Sequence, residues 1–234
     1  MSLVFALITG VAWTVAYVLA IRAGVRQRTY AMPVVALATN ISWEFQFSFV
    51  RPDTGAQLVI NILWFAFDCG LVYTALRYGP GEFPQLPPWA FRLGFVVLLA
   101  LAYPGMDLVS TVLDGGSGAL TAFASNVAMS GMFLAMLLAR GGSRGQSLGI
   151  AGAKWLGTAA ASVSFALDHA ARPGYEGGLL PYCYAACFLL DLAYFVALAT
   201  VLRRERAAGG VALAGRPAVA GEVPGKLPGE VAAA

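Results

Sequence analysis

Seven long apolar stretches restrict the folds open to this chain more than any other feature of its sequence. They lie at roughly 3–21, 32–50, 58–76, 89–112, 119–139, 148–167 and 181–202. Each is close to the length of about 20 residues that a helix needs to cross a bilayer. The stretches are continuous rather than alternating, which argues against membrane β-strands. The sequence therefore predicts an all-α integral membrane bundle of seven transmembrane helices, forming one domain over residues 1–206.

The composition of the chain supports a membrane location. Only 12% of its 234 residues are charged, which is about half the share found in an ordinary soluble domain. High usage of Ala, Gly and Arg favours a bacterial source, and hence a bacterial plasma membrane. Residues 207–234 differ from the rest, because they are mostly Ala, Gly, Pro and Val without a period. We predict that this segment is a disordered tail.

Arginine residues are concentrated in alternate loops of the predicted bundle. One set of loops and the end of the last helix contain Arg22, Arg26, Arg28, Arg77, Arg92, Arg140, Arg144, Arg203, Arg204 and Arg206. The loops on the other side contain Arg51 and Arg172. The positive-inside rule then predicts an N-terminus outside and a C-terminus in the cytoplasm. The net charge of +3 is mostly this topology signal, so no nucleic-acid partner is expected.

Acidic residues lie inside several of the apolar stretches. Glu44 is in the second stretch, and Asp68 and Asp191 are near the middle of the third and seventh. A charged carboxylate at the bilayer centre costs at least a few kcal/mol, so these groups must face the bundle interior, be protonated or be paired. Asp107 and Asp168 are close enough to predicted helix ends to be interfacial residues.

Polar and aromatic side chains accompany the acids at helical spacing. Asn40, Phe47 and Ser48 share a face with Glu44; Trp64 shares one with Asp68, Tyr184 and Tyr194 flank Asp191, and Asn126 lies in the fifth stretch. An aromatic stripe by itself more often packs against other helices or lipid. A buried carboxyl group, however, keeps its proton at neutral pH and can act as a general acid. Aromatic faces stabilise cations, so the combination points to cation chemistry such as polyene cyclisation.

Four segments carry a resemblance to a known family. They are AMPVVALATNISWEFQFSF, NVAMSGMFLAMLLAR, GQSLGIAGAKWLGTAAAS and DLAYFVAL. Together they resemble the membrane-integral terpene cyclases, which are small seven-helix enzymes of fungal indole-diterpene and meroterpenoid pathways and their bacterial relatives. The most specific elements are the N-x-x-W-E-F run and the K-x-x-G-T pair, and the similarity extends over nearly the whole chain up to the tail.

The resemblance implies a reaction and two catalytic acids. The reaction is a proton-initiated, class II cyclisation without metal or cofactor. Its substrate is a farnesyl or geranylgeranyl chain with a terminal alkene or epoxide, attached to an indole, a cyclic dipeptide or another core. Glu44 and Asp191 match the family's catalytic carboxylates; one would donate the proton, the other would be its partner or the final base, and the sequence does not order them. The sequence also lacks the D-D-x-x-D and D-x-D-D patterns of soluble terpene synthases and cyclases.

Further roles follow from the same resemblance and spacing. Asn40 and Ser48 are expected to orient Glu44, while the rings are expected to face the substrate or cation. This second set comprises Trp43, Phe47, Trp64, Tyr184 and Tyr194, with Asn126 as a polar neighbour. Trp43 follows a different face of its helix from Glu44, so it alternatively faces a neighbouring helix. Asp68 either assists the acids or forms a structural ion pair with Lys154, and the ion pair is favoured. Lys154 alternatively extends to the cytoplasmic surface.

Other functions are open at this point. A retinal protein needs a lysine in its last helix, and Lys154 is one helix too early. A small proton-coupled transporter is the stronger alternative, because intramembrane acids also mark ion pathways; the missing internal repeat argues against it. A helix break at Pro104 and Gly105 would favour that alternative. In a non-catalytic membrane scaffold, the acids would be exchangeable for Asn and Gln at little functional cost.

Overall fold

The computed structural model describes residues 2–169 and 178–214, and over that part of the chain it is all-helical. Its helices are α1 (Ser2–Gln27), α2 (Val34–Phe45), α3 (Gly55–Tyr78), α4 (Pro88–Asp114), α5 (Ala119–Arg140), α6 (Leu148–His169) and α7 (Leu179–Ala214). A π-helical segment, Gln46–Val50, continues α2, and a 3-10 turn, Gly79–Glu82, continues α3. Each apolar stretch coincides largely with one helix, so the all-α prediction is confirmed.

Six of these helices are long and apolar enough to cross a membrane, and α2 is the exception. It has 12 residues, fewer than the about 20 that a full crossing needs. Large apolar side chains cover the outer surface of the bundle; Leu101 and Val112 on α4 are 67% and 76% exposed. Such a surface suits lipid rather than water. The chain is a multi-pass membrane protein, and the seventh crossing stays a prediction.

Helix ends follow ordinary local rules. Pro88 lies at the start of α4, where its missing N–H costs nothing. Gly141 ends α5 with a left-handed backbone (φ 61°) that other residues adopt at a cost. The helix break that would favour a transporter is absent at Pro104, because α4 is continuous from Pro88 to Asp114. That feature therefore gives the transporter alternative no support.

The helices are arranged so that α1 packs against both α3 and α6. Helix α7 contacts α5 and α6, and α2 contacts α3, α4 and α5. Gly157 on α6 permits a close approach of α1, since a β-carbon there would lie 2.7 Å from Trp13 Cδ1. Small residues at such contacts let membrane helices pack tightly. This order places α1 between the two helices that were expected to share an ion pair.

Loops at each end of the bundle contact one another. At one end, Arg144 forms an ion pair with Glu82 at 3.0 Å and donates to the carbonyl of Gln27, at the end of α1, at 3.3 Å. The Ser143 backbone N–H donates to Glu205 of α7 at 2.8 Å. The connections after α1, α3 and α5 and the end of α7 therefore lie together, as the arginine pattern predicts for one membrane face. At the opposite end, Arg51 forms an ion pair with Asp107.

Two sequence predictions concern segments at or beyond the described limits. Helix α7 continues to Ala214, through the first residues that were assigned to the tail. The rest of that tail, residues 215–234, lies outside the described residues, so its disorder stays a prediction. Arg172, which was assigned to an outer loop, also lies outside them.

Candidate active site

Glu44 lies in the last turn of α2 and is turned into the bundle. It is only 4% exposed. Its Oε2 atom has no hydrogen-bond partner among the residues that the structure describes. The ion pairs within residues 2–169 and 178–214 do not include Glu44. An acid buried in this way is far more stable protonated than charged.

A second acid, Asp68, lies beside Asn40 and Tyr17. The Asn40 amide donates to Asp68 Oδ2 and to the Tyr17 hydroxyl, at 2.7 Å in both cases. Asp68 is fully buried, and its Oδ1 atom finds no hydrogen-bond partner in the described part of the chain. Asn40 is one helical turn before Glu44, so these four residues form a group that we name the acid cluster. It joins α1, α2 and α3 without a basic side chain among its members.

Asp191 has a different environment. Its Oδ1 accepts Lys154 Nζ at 2.6 Å, with side-chain exposures of 1% and 2%. Lys154 also donates to Ser130 Oγ at 2.7 Å, and its ammonium group lies over the rings of Trp13 and Phe133, 5.6 and 5.8 Å from their centroids. We name Lys154, Asp191 and Ser130 the ion-pair cluster; it joins α5, α6 and α7.

The predicted ion pair between Lys154 and Asp68 is therefore wrong. Helix α1 packs along both α3 and α6, and its Tyr17 shares the Asn40 amide with Asp68. Lys154 instead reaches the neighbours of α6 on the other side, α5 and α7. A lysine that forms a 2.6 Å contact with an acid on another helix does not extend to the membrane surface either.

A small cavity separates the two clusters. Its volume is about 20 Å³, and both Tyr17 and Lys154 line it, together with Trp13, Met129 and Phe133. A cavity of this size holds on the order of one water molecule. A larger ligand could enter this cavity only if the helices around it separated.

A larger groove lies on the lipid-facing side of α2, α3 and α4. Its volume is about 230 Å³. It is lined by Ile41, Ser42, Phe45, Phe65, Leu99 and Tyr103. Phe45 and Tyr103 are partly exposed, with ring centroids 5.8 Å apart. The groove is apolar and opens toward the bilayer next to the turn that carries Glu44.

The aromatic residues that flank Glu44 contact the loop between α4 and α5. Trp43 Nε1 donates to the Gly118 carbonyl at 3.1 Å, and the Trp43 and Phe47 ring centroids are 4.6 Å apart. Phe47 and Ser48 are buried. The Ser48 hydroxyl has no hydrogen-bond partner within residues 2–169 and 178–214. The helix face that the sequence predicted, with Asn40, Glu44, Phe47 and Ser48, is thus largely buried. The π-helical segment begins at Gln46, between Glu44 and Phe47.

The remaining sequence-predicted residues lie in both halves of the bundle. Trp64 donates to Thr14 Oγ1 at 3.3 Å, and Asn126 donates to Thr158 Oγ1 at 3.1 Å. Tyr194 is fully buried with its ring 5.4 Å from that of Phe133. Tyr184 packs edge-on against Phe123 at 4.6 Å. Trp64 therefore lies near the acid cluster, and the other three lie in the half that contains the ion pair.

Polar groups form hydrogen bonds around the π-helical segment that follows Glu44. Asn61 Nδ2 donates to Asp53 Oδ2 at 2.8 Å, and the Asp53 backbone N–H donates to the Phe47 carbonyl at 3.0 Å. Partial burial raises the pKa of Asp53, in the α2–α3 loop, and the hydrogen bond from Asn61 opposes that rise. The Asp53 N–H thus supplies a donor for the Phe47 carbonyl of the π-helical segment.

Sequence reasoning missed Tyr17, Trp13 and Gly118. Trp13 and Tyr17 are one helical turn apart on α1, a spacing that indicates a shared face but not which helix it meets. Gly118 lies in the run GGSG, which predicts a loop. Its contact with Trp43 is visible only after folding.

Comparisons with known proteins agree on one family. A family model described as Pyr4-like transmembrane terpene cyclases matches residues 1–204. The Pyr4-family terpene cyclase mfmH of Annulohypoxylon moriforme is 34% identical over 163 residues, which cover 67% of this chain and 66% of that protein. Terpene cyclase dpasB of Apiospora sacchari is 30% identical over 212 residues, which cover 86% of each chain. Terpene cyclase pyr4 of Aspergillus fumigatus is 26% identical over 208 residues, covering 84% of this chain and 85% of that one. No solved structure matches the chain.

Proposed function

We propose that this chain, which belongs to the Pyr4-like transmembrane terpene cyclases, starts cyclisation by transferring a proton from Glu44 to a prenyl chain. The chain is a membrane-bound terpene cyclase with a hydrophobic terpenoid substrate. The sequence did not decide which of its two catalytic candidates, Glu44 and Asp191, donates the proton. The proposal assigns them different roles, from the partners that each has in the folded protein.

The contrast between those partners carries the proposal. Asp191 accepts a buried ammonium group at 2.6 Å, so its charge is balanced within an ion pair. Glu44 is equally buried but has no ion pair in the described residues, so it keeps its proton. A general acid must carry a proton before it can give one. Glu44 meets this condition and Asp191 does not.

The surroundings of Glu44 also suit a developing positive charge. The acid cluster contains carboxyl groups on α2 and α3. Trp43 also lies on α2, Trp64 lies on α3, and Phe47 lies in the π-helical segment that continues α2. Aromatic faces attract a cation most strongly where water is excluded. Near Asp191, the faces of Trp13 and Phe133 are already occupied by the Lys154 ammonium. A carbocation is therefore better stabilised on the α1–α2–α3 side.

The proton balance of the reaction is simple. The Glu44 carboxyl group gives its proton to a terminal alkene carbon or an epoxide oxygen, and the resulting cation is attacked by the next double bond. After the last ring closes, the cation loses a proton to a base. Asp191, as a carboxylate whose Oδ2 has no hydrogen-bond partner among the described residues, is the proposed base. Proton exchange with water then restores both groups, so the product is an isomer of the substrate.

The substrate class and orientation belong to the same proposal. A farnesyl or geranylgeranyl chain on an indole, a cyclic dipeptide or another core fits the apolar surroundings of Glu44. The N-terminus is proposed to lie outside and the C-terminus in the cytoplasm, since the arginine-rich loops meet at one end of the bundle. The bacterial source expected from composition gains no support from the relatives named above, which are fungal.

The test is cyclisation in membranes from a host that expresses the protein. Prenylated indoles and cyclic dipeptides, with and without a terminal epoxide, are supplied to the wild type, Glu44→Gln and Asp191→Asn at matched amounts of folded protein. We expect Glu44→Gln to lower the turnover rate by about 10²- to 10⁴-fold, the usual contribution of a general acid. In D₂O, the wild-type product from an alkene substrate should carry one deuterium at the carbon that is protonated first.

Asp107→Asn is the matched control, because it changes an acid of another helix that is paired with Arg51 at the end of the bundle. It should cyclise at nearly the wild-type rate. Wild-type turnover by Glu44→Gln would refute its assignment as the proton donor. If Asp191→Asn alone abolished turnover while remaining folded, the roles of the two acids would have to be exchanged.

A further inference from the structure

The loop that joins α4 to α5 contacts the segment that carries Glu44. Gly118 accepts the indole N–H of Trp43 at 3.1 Å. A β-carbon at residue 118 would overlap the ring of Phe47, which is itself buried. Glu44 lies between Trp43 and Phe47 in the chain. The loop therefore touches the helix on both sides of the proposed acid.

Asp114 holds this loop in place. It is a largely buried acid whose two oxygens accept four hydrogen bonds: from the Ser110 hydroxyl at 3.1 Å, the Gly118 N–H at 3.0 Å, and the Thr121 N–H and hydroxyl at 3.0 and 3.1 Å. Gly118 has a φ of 79°, a left-handed backbone that suits glycine. Asp114 thus fixes the conformation that presents the Gly118 carbonyl to Trp43.

The helix needs such an external support at this point. The hydrogen bonding of α2 changes from α to π at Gln46, two residues after Glu44. A π-helical turn interrupts the regular α ladder and occurs frequently at functional sites. The direction of Phe47 therefore depends on what packs against its ring, which includes Trp43 and the backbone of Gly118.

We propose that Gly118, fixed by Asp114, is a positioning residue of the cyclisation: it holds Trp43 and Phe47 as a rigid aromatic wall against which the prenyl chain folds next to Glu44. This inference rests on the proposed function. Gly118 itself does not touch the reacting atoms in this scheme. Its size determines where the Phe47 ring lies, and hence which double bond of the prenyl chain is nearest to the cation.

The test is Gly118→Ala, measured on cyclisation rate and product pattern with the full-length protein in membranes. The added methyl group displaces Phe47, so we expect kcat to fall about 10- to 100-fold, the effect of a small misplacement at a reacting centre. The apparent KM should change much less. Partially cyclised products should increase at the expense of the wild-type product.

Gly141→Ala is the control for backbone strain. Gly141 has a similar left-handed φ of 61° at the far end of α5, with open space where a β-carbon would be. It should make wild-type products at nearly the wild-type rate. A purely conformational effect of alanine would appear in both variants, whereas displacement of Phe47 would appear only in Gly118→Ala.

Phe47→Leu tests whether Gly118→Ala acts on cyclisation by displacing the Phe47 ring. It removes the ring atoms that the new methyl group overlaps, so Gly118→Ala should change kcat by less than about twofold in this background, as expected when one residue acts through the other. If Gly118→Ala alone does not accumulate, the double variant still permits the comparison with Phe47→Leu.

The inference is overturned if folded Gly118→Ala gives the wild-type rate and products, or if its effect is as large with Leu at residue 47. Failure of the proposed function is distinguishable, because it appears as activity in Glu44→Gln. If Glu44→Gln were inactive while Gly118→Ala behaved like the wild type, the positioning role of Gly118 would be refuted and the role of Glu44 would be kept.

Discussion

The two halves of the bundle bury carboxyl groups in opposite ways. In the α1–α2–α3 half, Asp68 accepts the neutral Asn40 amide, and neither it nor Glu44 is in an ion pair among the described residues. In the α5–α6–α7 half, Asp191 forms an ion pair with Lys154. Burial is nearly complete for all three acids. The comparison shows that equally buried acids can have different partners. We expect the partner, rather than the depth, to decide which acid carries a charge.

Asp191→Asn should have the largest effect on stability, because it leaves the Lys154 ammonium buried without its partner. Breaking a buried ion pair by removing one member costs about 3–5 kcal/mol. Glu44→Gln, which replaces a neutral acid by a neutral amide, should lower the free energy of unfolding by about 1 kcal/mol or less. Reversible unfolding in mixed micelles with increasing SDS measures both values.

The double variant Lys154→Met/Asp191→Asn is the control for this prediction. It removes the unpaired charge as well, so most of the lost stability should return. Equal losses in Asp191→Asn and Glu44→Gln would mean that the two acids have the same charge state, and the contrast between the halves would disappear.

Asn40→Leu should have the next largest effect. Its amide supplies hydrogen bonds of 2.7 Å to Asp68 and Tyr17, and leaving buried polar groups unsatisfied costs about 1–3 kcal/mol. Tyr17→Phe removes one of these bonds and should cost about 0.5–1.5 kcal/mol. The same unfolding assay applies, and an Asn40→Leu protein as stable as the wild type would show that Asp68 and Tyr17 find other partners.

Asp107→Asn should have the smallest effect. Asp107 pairs with Arg51 at the end of the bundle, and the two side chains are 42% and 32% exposed. Exposed ion pairs contribute about 0–1 kcal/mol, and Asn retains an acceptor for the Gln46 amide. The difference from wild type should also shrink at high salt. A loss as large as that of Asp191→Asn would show that exposure does not separate the two ion pairs.

The sequence predicted most of the secondary structure, because apolar length is a local property. All seven stretches became helices, and Glu44, Asp68 and Asp191 are buried as their positions in those stretches required. The π-helical segment after Glu44 was not predicted, since it depends on contacts at the end of α2. Tyr17 escaped notice because a tyrosine in an apolar helix is ordinary until a partner such as Asn40 is seen.

What the sequence by itself determined is that acids lie inside a membrane bundle, since the length of an apolar run and the cost of a buried charge require no knowledge of neighbours. Only the tertiary structure decided that Lys154 lies inside the bundle too and meets Asp191 rather than Asp68. Both acids lie near the middle of their helices, so depth does not distinguish them. Helix order does: α1 packs along both α3 and α6, and Tyr17 of α1 lies beside Asp68, while α7 brings Asp191 to Lys154.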